Sequence, residues 1–393
     1  MRQVVIVGGG FAGIKAASSL ARDPRFHITL ISDRSHFEYH AALYRTSTGR
    51  SPLEVLIPLK RIFGRRQNIS LVKDTAQTID VKSKQLVCES GAKYAYDELI
   101  LALGSVTEYF GIQGLDRFSY GVKHIEAALS LKEHLHKELS SNKPDLHYVV
   151  VGAGPTGVEL AAELVGYLRR IRRNHHITKP FAVNLVEAAP RILPGMHASF
   201  SARITARLKK LGVKIYTSTA VKGESAGKLQ LPEGSIKTHT VIWTAGVSNH
   251  PFYAAQGSLF QFEHGKVAVS ASLAAAQNIY VIGDSAATQY SGWAQTAIYD
   301  GEFVARSLKL QLSGKPVPDY RPLAPIGAVP VGIEWCGVQF KGGQLFGRPG
   351  WVIRRLADLH LYIGLLPLRL AIKTWTQGSH MQESCLICRR SKL

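Results

Sequence analysis

The stretch Val4-Val5-Ile6-Val7-Gly8-Gly9-Gly10-Phe11-Ala12-Gly13 decides the fold, and Tyr148-Val149-Val150-Val151-Gly152-Ala153-Gly154-Pro155-Thr156-Gly157 repeats it. Each copy is a short β-branched run, as a buried parallel strand requires, leading into three spaced glycines. The first glycine permits a tight turn and the second lets backbone approach a pyrophosphate. The third lets the following helix pack close to the strand. Amphipathic patterns follow both copies, from Ile14 to Leu20 and from Val158 to Leu168. A helix starting there offers unpaired N–H groups and partial positive charge to phosphates. One such motif is a weak signal. Two, each set between strand and helix, predict two dinucleotide sites.

A site of this kind needs an acid near the end of its second strand to hold ribose hydroxyls. After the first fingerprint, His27–Ile31 leads into Ser32-Asp33-Arg34, with Asp33 about 20 residues beyond Gly13. After the second, Ala182–Val186 ends at Glu187, about 30 residues beyond Gly157. A carboxylate there repels a 2′-phosphate, so Glu187 favours NAD(H) over NADP(H).

The rest of the chain organises around these two motifs. Tyr96–Ser105 reads as a strand ending at Gly104, and Val241–Gly246 closes the second motif's domain in the same way. Asn278–Asp284 is a strand that delivers Gly283-Asp284, a carboxylate suited to the ribityl or pyrophosphate region of the first cofactor. The expected fold is therefore α/β, with two Rossmann-like domains, the first split by insertion of the second. The expected boundaries are 1–112 for the first half, 113–145 for a connection and 146–274 for the inserted domain. Residues 275–325 form the second half, and 326–393 a C-terminal region.

A length of 393 residues and an ordinary apolar fraction of 46% suit a cored enzyme of two or three domains. Four scattered cysteines, Cys88, Cys336, Cys385 and Cys388, do not make a disulfide scaffold and point to a reducing compartment. The first strand begins at residue 3, which reads as a cytosolic start without a cleaved leader. The formal net charge of +20 asks for an acidic partner or surface. Part of it lies in Arg169-Arg170-Ile171-Arg172-Arg173, and part in Trp351–Trp375, where Arg354, Arg355, Arg369 and Lys373 interleave with leucines. That second stretch, broken at Gly364 and Pro367 into two short helices, suits the headgroup layer of an anionic membrane. Its cations would face lipid, with Trp351 and Trp375 at the interface. A core helix pair or a homodimer contact is the other reading of it.

These residues resemble the type II NADH:quinone oxidoreductases, single-subunit flavoenzymes of respiratory membranes within the two-dinucleotide-binding-domain flavoproteins. The resemblance runs over nearly the whole chain. It is carried by Tyr96–Gly111, Val151–Leu164, Val186–Pro194, Val241–Val247, Ile279–Asp284 and the pair Ala294-Gln295. It implies FAD on Gly8, Gly10, Phe11, Ala12 and Gly13, with Asp33 or Arg34 near the adenosine ribose. Gly104, Asp284 and Gln295 would complete the flavin site. NADH would use Gly152, Gly154, Thr156, Gly157, Glu187 and Gly246, with Glu159 close to where nicotinamide meets flavin. Glu159 and Gln295 are the expected catalytic residues, and no metal is expected. Quinone would enter from the membrane near Ala294, Gln295 and Tyr299. The expected reaction passes a hydride from NADH to FAD and then two electrons to a membrane quinone, without proton pumping, on the cytoplasmic face of the plasma membrane.

Two departures touch the acceptor end. Ser32 stands where the family has its acid, one place before Asp33. Tyr299-Asp300 precedes Gly301 where the family carries a Gln-Gln pair, and either residue is a candidate proton donor to quinone. Sulfide:quinone oxidoreductases are a neighbouring alternative, but they need two flavin-facing cysteines. Apoptosis-inducing-factor-like flavoproteins are another, in which +20 would bind nucleic acid nonspecifically. Here the cations sit among long aliphatic side chains, so no specific nucleic acid is expected. Cys385-Leu386-Ile387-Cys388 reads as bystander thiols, and Ser391-Lys392-Leu393 matches a peroxisomal address that only a eukaryote would read.

Overall fold

Strand β1 (Arg2–Val7) is buried from Val4 onward and lies inside its sheet, with strands on both sides. Along one edge it pairs in parallel with β2 (Phe26–Ser32), along the other with β4 (Glu98–Leu101). With β3 (Ile69–Lys73), β9 (Ala274–Ala276) and β10 (Ile279–Val281), they form a six-stranded sheet in the order β9-β10-β4-β1-β2-β3. Helix α1 (Phe11–Leu20) lies against α4 (Ala294–Leu312). A Cβ on Gly301 would sit 2.3 Å from the Ala12 carbonyl oxygen, so the two helices meet backbone to backbone there.

The second sheet repeats the pattern. Strands β5 (His147–Val151), β6 (Ala182–Val186), β7 (Val213–Tyr216) and β8 (Thr240–Trp243) are all parallel, in the order β7-β6-β5-β8. Helix α2 (Ile125–Leu139) precedes β5, and α3 (Pro155–Asn174) follows it. A three-stranded antiparallel sheet, Gly327–Pro330, Cys336–Phe340 and Gly343–Gly347, leads into α5 (Arg348–Leu365) and α6 (Leu368–Gln377). This computed structural model describes residues 1–64, 66–139, 141 and 145–381. The Cys385/Cys388 pair and the terminal Ser391-Lys392-Leu393 lie outside the described residues.

The chain divides into a unit of residues 1–38, 56–107 and 247–325 and a unit of 39–55, 108–246 and 326–393. These limits differ from those expected. Residues 247–274 belong with the first unit because Val247–Asn249 pairs antiparallel with Ser105–Thr107. Phe252, Tyr253, Phe260 and Val267 also join its core beside Val5, Leu99 and Val281. The connection expected at 113–145 is instead part of the second unit, where Leu115 packs with Val149, Val241 and Trp243.

The C-terminal stretch departs most from expectation. Pro367 breaks it, with Leu366 pushed to φ −130° and ψ 156°, as the residue before a proline tends to be. Gly364 does not break it, and α5 runs for 18 residues. Arg354 and Arg355 do not face outward: both are buried. Arg354 pairs with Asp358 one turn on and donates to the Tyr39 hydroxyl at 3.0 Å. Arg355 reaches Glu54 at 3.1 Å, and its guanidinium lies 4.7 Å from the Trp375 ring centroid, so Trp375 packs inward too. Arg45 bridges both acids, at 2.8 Å from Glu54 and 3.2 Å from Asp358. A Cβ on Gly378 would fall 1.9 Å from the Glu54 carboxylate, so the chain after α6 closes directly over that acid. Three arginines and two carboxylates thus anchor the C-terminal helices to residues 39–55.

Burial pushes the Asp358 carboxyl up, but Arg354 and Arg45 overcome this and hold it below the usual carboxylate range. Its folded value lies below its unfolded one. Its stabilisation is therefore present at neutral pH and lost as pH falls through the lowered folded value. Replacing Asp358 by Ala leaves buried arginines uncompensated and is expected to cost about 3–5 kcal/mol. Urea unfolding would read this as a lower midpoint. Arg369→Ala, on the exposed face, should stay within about 0.5 kcal/mol of the parent.

Candidate active site

The two glycine loops have the same local geometry. Gly8 (φ +114°) and Gly152 (φ +97°) turn the chain in the left-handed region, where a side chain is strained. A Cβ on Gly13 would meet the Gly8 carbonyl oxygen at 2.0 Å, and one on Gly157 would meet that of Gly152 at 1.9 Å. The middle glycines differ: nothing lies within 4 Å of a Cβ on Gly10 or Gly154. The outer glycines are thus demanded by the protein's own packing, while the middle ones border open space. No side chain caps α1 or α3, and neither has an acid in its first turn. A bare helix start beside an open glycine is a fit cradle for a pyrophosphate. Among the residues expected at the first loop, Ala12 is buried, and Gly283 and Gly301 close over it. It seats the helix. Thr156, by contrast, is exposed at the start of α3.

The ribose acids separate the loops. Gly8 N–H donates to Ile31 O, and Gly152 N–H to Val186 O, both at 2.8 Å. Ser32 therefore stands in register with Glu187. The Glu187 carboxylate accepts from Ala153 N at 2.6 Å and from Ala189 N at 2.8 Å, gripping its own glycine loop. Ser32 is buried, with its hydroxyl 2.8 Å from where a Gly9 Cβ would be. Asp33 is left with a 66% exposed side chain, 3.8 Å from Arg34. The firmer partner of Arg34 is Glu38, a buried acid that also lies 3.3 Å from His36. No local motif marked Glu38 in the sequence.

At the other edge of the first sheet, β4 and β10 run parallel and bring Gly104 and Asp284 together. Ser285 donates to Gly104 O at 2.7 Å, and Ser105 to Asp284 at 3.4 Å. Gly104 (φ +70°) has open space where a Cβ would go. Ala294 and Gln295 open α4, with Gln295 exposed. Tyr299 is half-buried, its ring 5.7 Å from that of Tyr320. Asp300, a candidate proton donor, is fully buried and occupied: it accepts from Gly283 N at 3.0 Å and from the Tyr320 hydroxyl at 2.5 Å. Burial raises its carboxyl to about 6. It holds the Gly283-Asp284 turn in place and is not poised for proton delivery.

In the second unit Gly246 is pinned, since a Cβ there would meet the Glu108 carbonyl oxygen at 2.2 Å. Thr244 donates to Val151 O and Gly152 O, tying β8 to the glycine turn. Glu159 lies on α3, nine-tenths buried. Burial pushes its carboxyl up to about 8, while Arg354 and Arg45 pull it down and Asp358 and Glu163 push it further up. It is thus a protonated acid at neutral pH beside the arginine–carboxylate cluster. That neighbourhood could not be read from spacing, because Arg45, Glu159 and Arg354 are far apart in the chain.

Among the described residues, no helix is long and apolar enough to cross a membrane. The pyridine nucleotide-disulphide oxidoreductase family matches residues 2–301. The type II NADH:quinone oxidoreductase Ndh of Mycobacterium tuberculosis is 30% identical over 95% of this chain and 87% of its own length. The type II NADH:quinone oxidoreductase of Staphylococcus haemolyticus is 28% identical over 81% of this chain and 85% of its own. In fold, the chain matches NDH2 from Plasmodium falciparum in complex with NADH, with a TM-score of 0.87 at 17% identity, covering 96% and 97% of the two chains. It also matches the sulfide:quinone oxidoreductase of Aquifex aeolicus, with a TM-score of 0.79 at 20% identity, covering 92% and 90%. With two pinned glycine loops and relatives this similar along the chain, the protein belongs to the type II NADH:quinone oxidoreductases of the pyridine nucleotide-disulphide oxidoreductase family.

Proposed function

We propose that this chain is an FAD-dependent NADH:quinone oxidoreductase that works peripherally on the cytoplasmic face of a membrane without pumping protons. The carrying observation is the repeated loop in which the outer glycines are pinned and the middle one is open. Gly8–Gly13 would hold the FAD pyrophosphate, with Gly104, Asp284 and Gln295 along the flavin and Asp33 or Arg34 at the ribose. Gly152–Gly157 would hold NADH, with Glu187 on its ribose and Gly246 near the nicotinamide. Bound FAD supplies the chemistry, taking a hydride from NADH and releasing two electrons to quinone. The protein's part is to orient, to exclude water and to move protons.

Quinone reduction consumes protons, and Glu159 is the group we assign to supply one, holding it at neutral pH because of burial. Ala294, Gln295 and Tyr299 would line the approach of the quinone. Sulfide oxidation is disfavoured because Cys88 and Cys336 are both buried, their thiols pushed up to about 11 and about 12. A nucleophile needs a thiolate. The exposed face of α5 and α6, with Ile353, Leu356, Ile363, Leu368 and Ile372, would lie in the headgroup layer. Arg369 and Lys373 of α6 are outward cations, as is Arg348 at the start of α5.

Mixing the purified flavoprotein anaerobically with NADH should bleach the flavin, and added quinone should restore its colour. No bleaching by NADH would sink the proposal, and bleaching by sulfide would favour the alternative. Quinone-dependent turnover should fall as pH rises through about 8, as Glu159 loses its proton. Glu159→Gln should remove that limb and lower quinone turnover by roughly tenfold or more, with bleaching by NADH retained. In vesicle flotation, Leu356→Glu with Ile363→Glu should weaken membrane binding by at least about tenfold. Salt should matter less than these substitutions do, because Arg354 and Arg355 are already paired inside. Loss of a dimer in place of vesicle binding would assign this face to a homodimer.

A further inference from the structure

Asp300 is a buried acid that the proposed reaction does not use. It lies on α4, fully enclosed, and accepts from Gly283 N at 3.0 Å and from the Tyr320 hydroxyl at 2.5 Å. Burial raises its carboxyl to about 6, so at neutral pH it is an anion. Among the described residues it pairs with no cation, and the charged group that faces it is another acid, Asp284. Its folded value stands above its unfolded one, so ionisation at neutral pH counts against folding. Fold stability therefore gives little reason for an acid at this place. What its two donors belong to gives a better one.

The first donor is the backbone of the turn that ends β10. A Cβ on Gly283 would stand 3.2 Å from the Ala12 Cβ of α1 and 3.6 Å from the Ala297 Cβ of α4, so the turn is seated between the two helices. Asp300 takes its N–H, and the Ser291 hydroxyl donates to the carbonyl oxygens of Gly283 and Asp284, both at 3.2 Å. The backbone is thus tied from two sides, while the Asp284 side chain is not. Among the described residues its carboxylate has one hydrogen-bond partner, the Ser105 hydroxyl, at a long 3.4 Å. A fixed backbone that carries a carboxylate with acceptor sites to spare is arranged to receive hydroxyl groups from outside the chain.

The second donor, Tyr320, comes from residues 315–325, which form neither helix nor strand. Its backbone N–H donates to Ala271 O at 2.7 Å, and its ring lies 5.1 Å from that of Phe303. These two contacts set the hydroxyl against Asp300. Tyr320 therefore fixes the carboxylate that in turn fixes the Gly283 N–H.

We propose that Asp300, held by Tyr320, is a positioning residue for the flavin: through the Gly283 N–H it aims the Asp284 carboxylate at the ribityl hydroxyls of FAD. This rests on the assignment of FAD to the first glycine loop. Titrating the full chain, freed of flavin, with FAD and with ADP tests it, because ADP would engage only the glycine loop and the adenosine end. Asp300→Ala is expected to weaken FAD binding by about tenfold or more, as for one lost charge-assisted hydrogen bond, and to leave ADP binding within about twofold. Tyr320→Phe keeps the ring and should weaken FAD by about threefold, again without moving ADP. Asp300→Asn, whose amide oxygen still accepts from Gly283 N–H, should recover most of the loss. A residue that merely supports the fold would move FAD and ADP together. That result overturns the proposal, as does FAD affinity unchanged in Asp300→Ala or no recovery in Asp300→Asn. If Asp300→Ala fails to fold, Tyr320→Phe decides: unchanged FAD affinity, or FAD and ADP falling together, overturns it. A parent chain that binds neither nucleotide would instead sink the assignment of FAD to this loop.

Discussion

In each unit, a glycine in the first turn of a helix touches the carbonyl oxygen of the glycine that ends the preceding strand. This contact leaves no room for a Cβ, and much of each loop's geometry follows from it. It draws α1 and α3 down onto their sheets, so that bare helix starts meet the ends of β1 and β5. It also frees the middle glycine to border open space. Buried β-branched strands on both sides hold the turn in register, so burial and geometry enforce one another. The cradle is a by-product of close packing and is therefore rigid.

The second organising feature is electrostatic. Arg45, Arg354 and Arg355 with Glu54 and Asp358 bind residues 39–55 to the C-terminal helices through a buried network. Burying five ionised groups is expensive, and native proteins retain such networks when each member is paired. Here the pairing fixes the orientation of α5. Arg354 and Arg355 turn inward while Ile353, Leu356 and Ile363 face outward, the reverse of an electrostatic membrane anchor. The same cluster sits beside Glu159, so the arginines that hold α5 in place also temper the proton affinity that burial gives a neighbouring acid.

What could be read directly from the chain was local. Glycine spacing after β-branched runs located both glycine turns, and Asn278–Asp284 predicted a strand that returns to the first unit. The shift of the first acid to Asp33 was visible as well, and register explains it, with Ser32 occupying the place that Glu187 holds in the second loop. Contacts between distant positions were not legible. Arg354 in isolation is a cation among leucines, and only its placement beside Asp358 and Tyr39 shows that it points inward. Asp300 reads as a free acid until Gly283 N–H and the Tyr320 hydroxyl are seen to occupy it.

The split of the first unit bears on how the chain is made. Strand β4 is complete once residue 101 is synthesised, yet its partner β10 begins only at Ile279. Until then the first sheet carries an unpaired edge, the kind of surface on which strands of other chains can add. Strands β5 to β8 are finished in the meantime, and they pair with one another in the order β7-β6-β5-β8. The second sheet can thus form on the ribosome before the first is complete. Slow synthesis between residues 101 and 279 would lengthen that exposure, making this edge the point where production of the enzyme is most vulnerable to aggregation.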